Sequence, residues 1–170
     1  MRSFMKTCVI IPTYNEAQAI GGLVKQILAQ DLNVLVVDDG SKDNTSKIAQ
    51  AEGAVVLRNP YNEGKGASLI KGFHYALNNN FDAVVSMDGD GQHSTSDIPF
   101  FLRLAQYSDS AIFIGNRMSK PKSMPWVRLL TNKFMSWLIS KVAKQKIPDT
   151  QCGFRLIKKE VLEIIKLATY

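Results

Sequence analysis

Five short runs of apolar, mostly β-branched residues punctuate the chain: Cys8–Pro12, Asn33–Val37, Ala54–Leu57, Ala83–Met87 and Ala111–Gly115. A strand that is apolar at successive positions has no face to give to solvent, so it must be covered on both sides. The segments between the runs carry helical spacing instead. Ile20, Leu23, Val24, Ile27 and Leu28 form one face of 17–29, and Leu69, Ile70, Phe73 and Leu77 one face of 67–77. Asp43-Asn44-Thr45 is a good opening for a helix before the third run, and 94–107 predicts a fourth helix. Four to five β–α units in succession predict an α/β fold with a doubly wound, mostly parallel sheet. At 170 residues and 45% hydrophobic content, the chain suits one domain with a sizeable core, and it contains no internal repeat.

In an open parallel sheet all carboxyl ends of strands lie along one edge, and ligands bind there. Pro12–Glu16, Asp38–Ser41, Asn59–Gly66 and Asp88–Gln92 should therefore converge. The most informative of these turns is Asp88-Gly89-Asp90-Gly91-Gln92-His93. Two carboxylates flanking one glycine repel each other unless a cation sits between them. Mg²⁺ takes one or two carboxylates and completes its shell with water and phosphate oxygens. Gly89 and Gly91 let the backbone come close to such an ion, and Gln92 adds a neutral oxygen. The same residues also make an ordinary acidic turn. Around this point, Asp39 is suited to accept hydrogen bonds from a base or ribose, Tyr14 to stack on a base, and Lys65 with its glycine amides to touch phosphate. Each has a plainer role open to it: turn capping for Asp38 and Asp39, core packing for Tyr14, a solvated loop for Lys65. His74 falls in a helix; His93 is either a support or a ligand beside the acidic turn. No Gly-x-Gly-x-x-Gly follows the first strand and no Gly-x-x-x-x-Gly-Lys-Ser/Thr occurs, which argues against dinucleotide and P-loop sites.

The net charge of +6 favours anionic partners. Much of it lies in 116–148, which holds Arg117, Lys120, Lys122, Arg128, Lys133, Lys141, Lys144 and Lys146 without an acid. A helix predicted from about Trp126 to Ala143 gathers Trp126, Leu130, Phe134, Trp137 and Leu138 on one face and Arg128, Asn132, Ser136 and Ser140 on another. Such a helix either lies on an anionic bilayer or packs on a core with its lysines solvated. No nucleic-acid-binding motif accompanies the basic residues, so nucleic acid is not an expected partner. Cys8 and Cys152 make no disulfide framework, which points to a reducing, cytosolic setting. No run reaches membrane-spanning length and no signal-peptide core opens the chain.

Taken in order, Ile11–Glu16, Val36–Ser41, Asn62–Gly66, Met87–His93, Gly115-Asn116-Arg117 and Asp149–Arg155 resemble the successive motifs of family 2 glycosyltransferases. The nearest likeness is to the branch of dolichol-phosphate mannose synthases and polyprenyl-phosphate glycosyltransferases. The resemblance implies a GT-A fold over 1–170, with a donor-binding half at about 1–93 and an acceptor-side half at about 94–170. It implies a GDP- or UDP-linked sugar donor, Mg²⁺ or Mn²⁺, and inversion at the anomeric carbon. Pro12, Tyr14, Glu16 and Asp39 match donor-binding positions, with Lys65 and Gly89 beside them. Asp88, Asp90 and Gln92 match the metal–diphosphate positions, Arg117 and Arg128 phosphate-contacting ones, and Arg155 the arginine of a Gly-Phe-Arg segment.

A polyprenyl monophosphate acceptor is already anionic and needs cationic positioning rather than a general base. The acid-free stretch suits that acceptor and a place at the cytoplasmic membrane face. Transfer to a saccharide hydroxyl, or a non-catalytic module binding nucleotide-sugar or membrane, are the competing readings. The Gln-x-x-Arg-Trp motif of processive synthases is missing, and the chain stops before the acidic segment that usually follows in the family, as in a truncated member.

Overall fold

The structure is a computed structural model that describes residues 5–91, 94–115, 135–142, 144, 149 and 152–164. Its centre is a six-stranded sheet in the order β3-β2-β1-β4-β6-β5. The strands are β1 Thr7–Thr13, β2 Asn33–Asp38, β3 Val55–Arg58, β4 Ala83–Ser86, β5 Ile112–Ile114 and β6 Arg155–Lys158. β1 pairs in parallel with β2 on one side and β4 on the other, and β2 with β3.

Side chains alternate between the two faces of a strand, and β1 shows the consequence. Val9 and Ile11 pack into one buried cluster with Ile20, Val24 and Ile27 of helix α1 (Ile20–Leu28) and Ile98 and Phe101 of helix α4 (Ile98–Tyr107). Cys8 and Ile10 pack into the other with Phe73 and Ala76 of helix α3 (Lys65–Asn78) and Leu162 of helix α6 (Lys159–Ile164). Helix α2 (Thr45–Ala51) contributes Ala49 to the first cluster. Helices thus cover both faces of the central strands β1, β2 and β4, whereas the edge strands β3 and β5 remain partly exposed, contrary to the expectation that every apolar run is buried on both sides.

Two further details differ from the sequence-based expectation. β6 is antiparallel to both β4 and β5 and separates them, so the fifth run keeps the direction of β4 but does not pair with the parallel strands. The register Ser86↔Arg155 brings the 152–155 turn to the carboxyl end of β4. Helix α1 starts at Ile20 rather than near Ala17. The preceding N–H groups are already used: those of Asn15, Glu16 and Ala17 donate to Ser41 Oγ, Thr45 Oγ1 and Asp43 Oδ2 at 2.8, 2.9 and 3.2 Å. In α5 (135–142) Ser136 is the buried residue, while Trp137, Leu138, Ile139 and Val142 are exposed. Among the described residues, no helix is long and apolar enough to cross a membrane.

Candidate active site

The strand order reverses direction between β1 and β4, and that is where an open α/β sheet leaves a crevice. Here the crevice is a cleft of about 260 Å³. The turn after β1 supplies Tyr14 and Glu16, the turn after β2 supplies Asp39, and the loop after β3 supplies Asn62 and Gly64. Lys65 enters from the start of α3, and Asp88, Gly89 and Asp90 follow β4. The four predicted turns therefore do meet on one edge.

Hydrogen bonds show how the walls are held. Asp38 is fully buried. Its Oδ1 accepts from Ser41 N at 2.9 Å, and its Oδ2 from Ser46 Oγ, with Arg58 Nη1 at 3.6 Å. Asp39 is nearly as buried, and its carboxylate ties down the next loop. Oδ1 accepts from Asn59 Nδ2 at 2.8 Å and Glu63 N at 2.9 Å, and Oδ2 from Gly64 N at 2.8 Å. A buried carboxylate needs hydrogen-bond donors, and the backbone N–H groups of Glu63 and Gly64 in the loop that walls the cleft provide them. Gly40 is required beside it: its φ is +75°, and a Cβ there would lie 2.7 Å from the Tyr61 carbonyl carbon. Tyr14 is exposed at the mouth, not packed in the core.

Asp88 is half-buried and Asp90 exposed, with Gly89 between them packed so closely that a Cβ would come 2.7 Å from Thr13 Cγ2. Lys65 Nζ pairs with Asp88 Oδ1, so this lysine is neither a solvated loop residue nor remote from the acids. Gly153 presses its backbone against the same carboxylate: a Cβ there would stand 2.6 and 2.7 Å from Asp88 Oδ1 and Oδ2. Ser86 Oγ donates to the Gly153 carbonyl oxygen at 3.0 Å, and Arg155 Nε braces the turn by donating to the Cys152 carbonyl oxygen at 2.8 Å. Gly153, Ser86, Asn59 and Ser68 are site residues that sequence reasoning did not single out. Gly153 carried a hint as part of the Gly-Phe-Arg segment, and Asn59 as the start of the converging Asn59–Gly66 loop. Gln92, His93, Arg117 and Arg128 lie outside the described residues.

Burial, with the carboxylates of Asp90 and then Asp43 nearby, pushes the Glu16 carboxyl above its ordinary value of 4.5. The folded chain consequently holds that proton more tightly than the unfolded chain does. This lowers stability above the folded-state pKa and restores it below the unfolded one. Glu16→Gln should therefore melt higher than the parent at pH 7 in the absence of divalent metal. The gain should shrink as pH falls through the Glu16 titration and vanish below about pH 4. Thermal melts across pH 3.5–8 check this, and a gain that persists at low pH would assign it to another cause.

Hard oxygen donors are what a Mg²⁺-type ion needs, and two carboxylates suffice when phosphates and water complete the shell. The Asp88–Asp90 pair fits that requirement in donor type and number. Glu16 lines the same cleft and adds a third carboxylate near Asp90. No cluster of three or more His, Cys, Asp or Glu side chains suited to a metal occurs among the described residues.

Comparison with known proteins fits this geometry. The family described as Glycosyl transferase family 2 matches residues 8–165. An uncharacterized protein of Methanocaldococcus jannaschii is 38% identical over 170 residues, covering 92% of this chain and 73% of its own length. The polyprenol monophosphomannose synthase of Mycolicibacterium smegmatis is 30% identical over 179 residues, covering 99% of this chain and 67% of its own length. The glucosyl-3-phosphoglycerate synthase of Mycobacterium tuberculosis, solved with Mn²⁺ and UDP-glucose, superposes with a TM-score of 0.67 at 20% identity. That match covers 91% of this chain and 56% of the solved one. The chain thus spans little more than half of that structure.

Proposed function

The chain belongs to glycosyl transferase family 2, and from that membership we propose that it moves a sugar from a nucleotide-diphosphate donor to a polyprenyl phosphate, with inversion. Its sheet and helices form the GT-A fold. The observation that carries the reading is the convergence of Tyr14, Glu16, Asp39, Lys65, Asp88 and Asp90 on one cleft at the β1/β4 reversal. A charged diphosphate and its sugar need such a mixture of acid, cation and glycine-lined wall.

Asp88 and Asp90 would hold a divalent cation, Mg²⁺ or Mn²⁺, as the Mn²⁺ of the structural neighbour supports, with Gln92 as a third oxygen. Bound there, the cation supplies Lewis-acid neutralisation of the departing diphosphate. Asp39 keeps the Asn59–Gly64 wall in place, and Tyr14 offers an exposed ring at the mouth for the donor base. Pro12 shapes the floor of the cleft and Gly89 lets the acidic turn approach it.

The acceptor assignment rests on charge. A lipid monophosphate brings its own nucleophilic oxygen anion, so this chain needs cations rather than a base to present it. Arg117 and Arg128, within the acid-free 116–148 stretch, are our candidates. The outward apolar side of α5, where Lys141 Nζ lies 4.6 Å from the Trp137 ring centroid, suits a helix resting on an anionic bilayer surface. The name of the Mycolicibacterium smegmatis relative, a polyprenol monophosphomannose synthase, points to the same acceptor class.

The test is turnover. The protein, with Mn²⁺ and a panel of UDP- and GDP-sugars, should form an acid-labile glycosyl-lipid phosphate from polyprenyl phosphate in vesicles. Product on a saccharide hydroxyl and none on lipid phosphate would overturn the acceptor assignment.

A further inference from the structure

Among the described residues, two groups press on Asp88, a backbone and a flexible side chain. On one side stands the Gly153 backbone, so near that an added Cβ would lie 2.6 Å from Asp88 Oδ1. That backbone is itself anchored to β4 through Ser86. On the other side stands the Lys65 ammonium. The lysine side chain is 53% exposed and the aspartate side chain 26%. Lys65 is the first residue of α3, and Gly64 before it donates its N–H to the buried Asp39 carboxylate. The root of the lysine is therefore fixed, while its four-carbon stem is free to swing.

We propose that Lys65 is an exchange cation. It neutralises Asp88 until the donor arrives, then releases that oxygen to the divalent cation and moves onto the diphosphate. The proposal rests on the metal–diphosphate reading above and adds an order to it. An ammonium and a divalent ion cannot share one carboxylate oxygen at contact distance without strong like-charge repulsion. Metal binding alone displaces the ammonium from Asp88 without giving it a phosphate partner. Metal binding with a nucleotide diphosphate gives the ammonium a new anionic partner. Metal and diphosphate should thus bind cooperatively, with Lys65 as the positioning residue that couples them, and the coupling must appear equally in both affinities.

The experiment is a Mn²⁺ titration followed by electron paramagnetic resonance, without nucleotide and with saturating UDP or GDP, alongside calorimetry of each nucleotide with and without Mn²⁺. In the parent protein Mn²⁺ should bind weakly alone and much more tightly with nucleotide. Lys65→Met should bind Mn²⁺ alone about three- to tenfold more tightly, the range set by loss of a half-exposed ion pair and of the local repulsion. It should bind Mn²⁺–nucleotide about tenfold more weakly, as expected for one lost charge-assisted contact. Lys65→Arg, which keeps the charge, should restore most of the coupling. If Lys65→Met weakens nucleotide binding but leaves Mn²⁺ alone unchanged, Lys65 is a phosphate contact only and the exchange is wrong. If the parent takes up no Mn²⁺ even with nucleotide, the metal reading fails and the exchange falls with it.

Discussion

Asp90→Asn is expected to lower sugar transfer by on the order of 10²–10³-fold, the equivalent of a few kcal/mol of transition-state stabilisation. The change keeps the shape of the side chain and removes one negative charge at the point where the cation would sit. Asp90 is exposed, so the fold should hardly notice: exposed substitutions usually shift stability by less than about 0.5 kcal/mol. Two further readouts separate this from simple damage. Nucleotide binding without metal should persist while its metal-dependent increment disappears. The Glu16 carboxyl, raised in part by Asp90, should relax toward its ordinary value. Calorimetry with and without Mn²⁺ and a pH titration of the variant check both. Unchanged metal-dependent binding would remove Asp90 from the ligand set.

Gly153→Ala should lower transfer by roughly 10–10²-fold, because displacing a positioned group by about an ångström can cost that much. A methyl at this position overlaps both Asp88 carboxylate oxygens, so either Asp88 rotates away or the 152–155 turn retreats. The stability loss should be modest, about 1–3 kcal/mol for local overpacking. Gly22→Ala provides the control. Gly22 is an exposed glycine inside α1 with nothing within 4 Å of an added Cβ. It should leave transfer unchanged and raise stability by about 0.5–1 kcal/mol. Parallel turnover and melting measurements on the two variants decide the matter. Equal activity in both would mean that the turn does not position Asp88.

The convergence of the four turns was legible in the sequence for a physical reason. Strands apolar on both faces impose a parallel sheet, and a parallel sheet puts its strand ends together. The acidic turn at Asp88 and the lysine at Lys65 could thus be assigned to one edge without any coordinates. What could not be read was which partner each side chain would take. Asp39 looked available for a base, yet three of its hydrogen bonds hold the Asn59–Gly64 loop, a need created by burial of the carboxylate that no local pattern announces. Lys65 looked like a loop residue because Gly64 and Gly66 flank it, but Gly64 at φ +90° turns the chain directly into α3. β6 has only Leu156 and Ile157 as its buried pair, too short a signal to give direction. Its antiparallel insertion next to β4 is a tertiary outcome. It alone explains how Gly153 reaches Asp88 across 65 positions of sequence. In α5 the periodicity placed Trp137 and Leu138 together correctly, but it could not say that this side would point outward and Ser136 inward.

The claim on which the rest depends is that the Asp88–Asp90 pair binds a divalent cation together with the donor's diphosphate. Manganese anomalous scattering from crystals of the protein soaked with Mn²⁺ and UDP or GDP tests it most directly. An anomalous peak is expected within coordination distance of both carboxylates and of diphosphate oxygens, with Lys65 drawn off Asp88. Nucleotide density in the cleft with no anomalous peak at these two residues would contradict it.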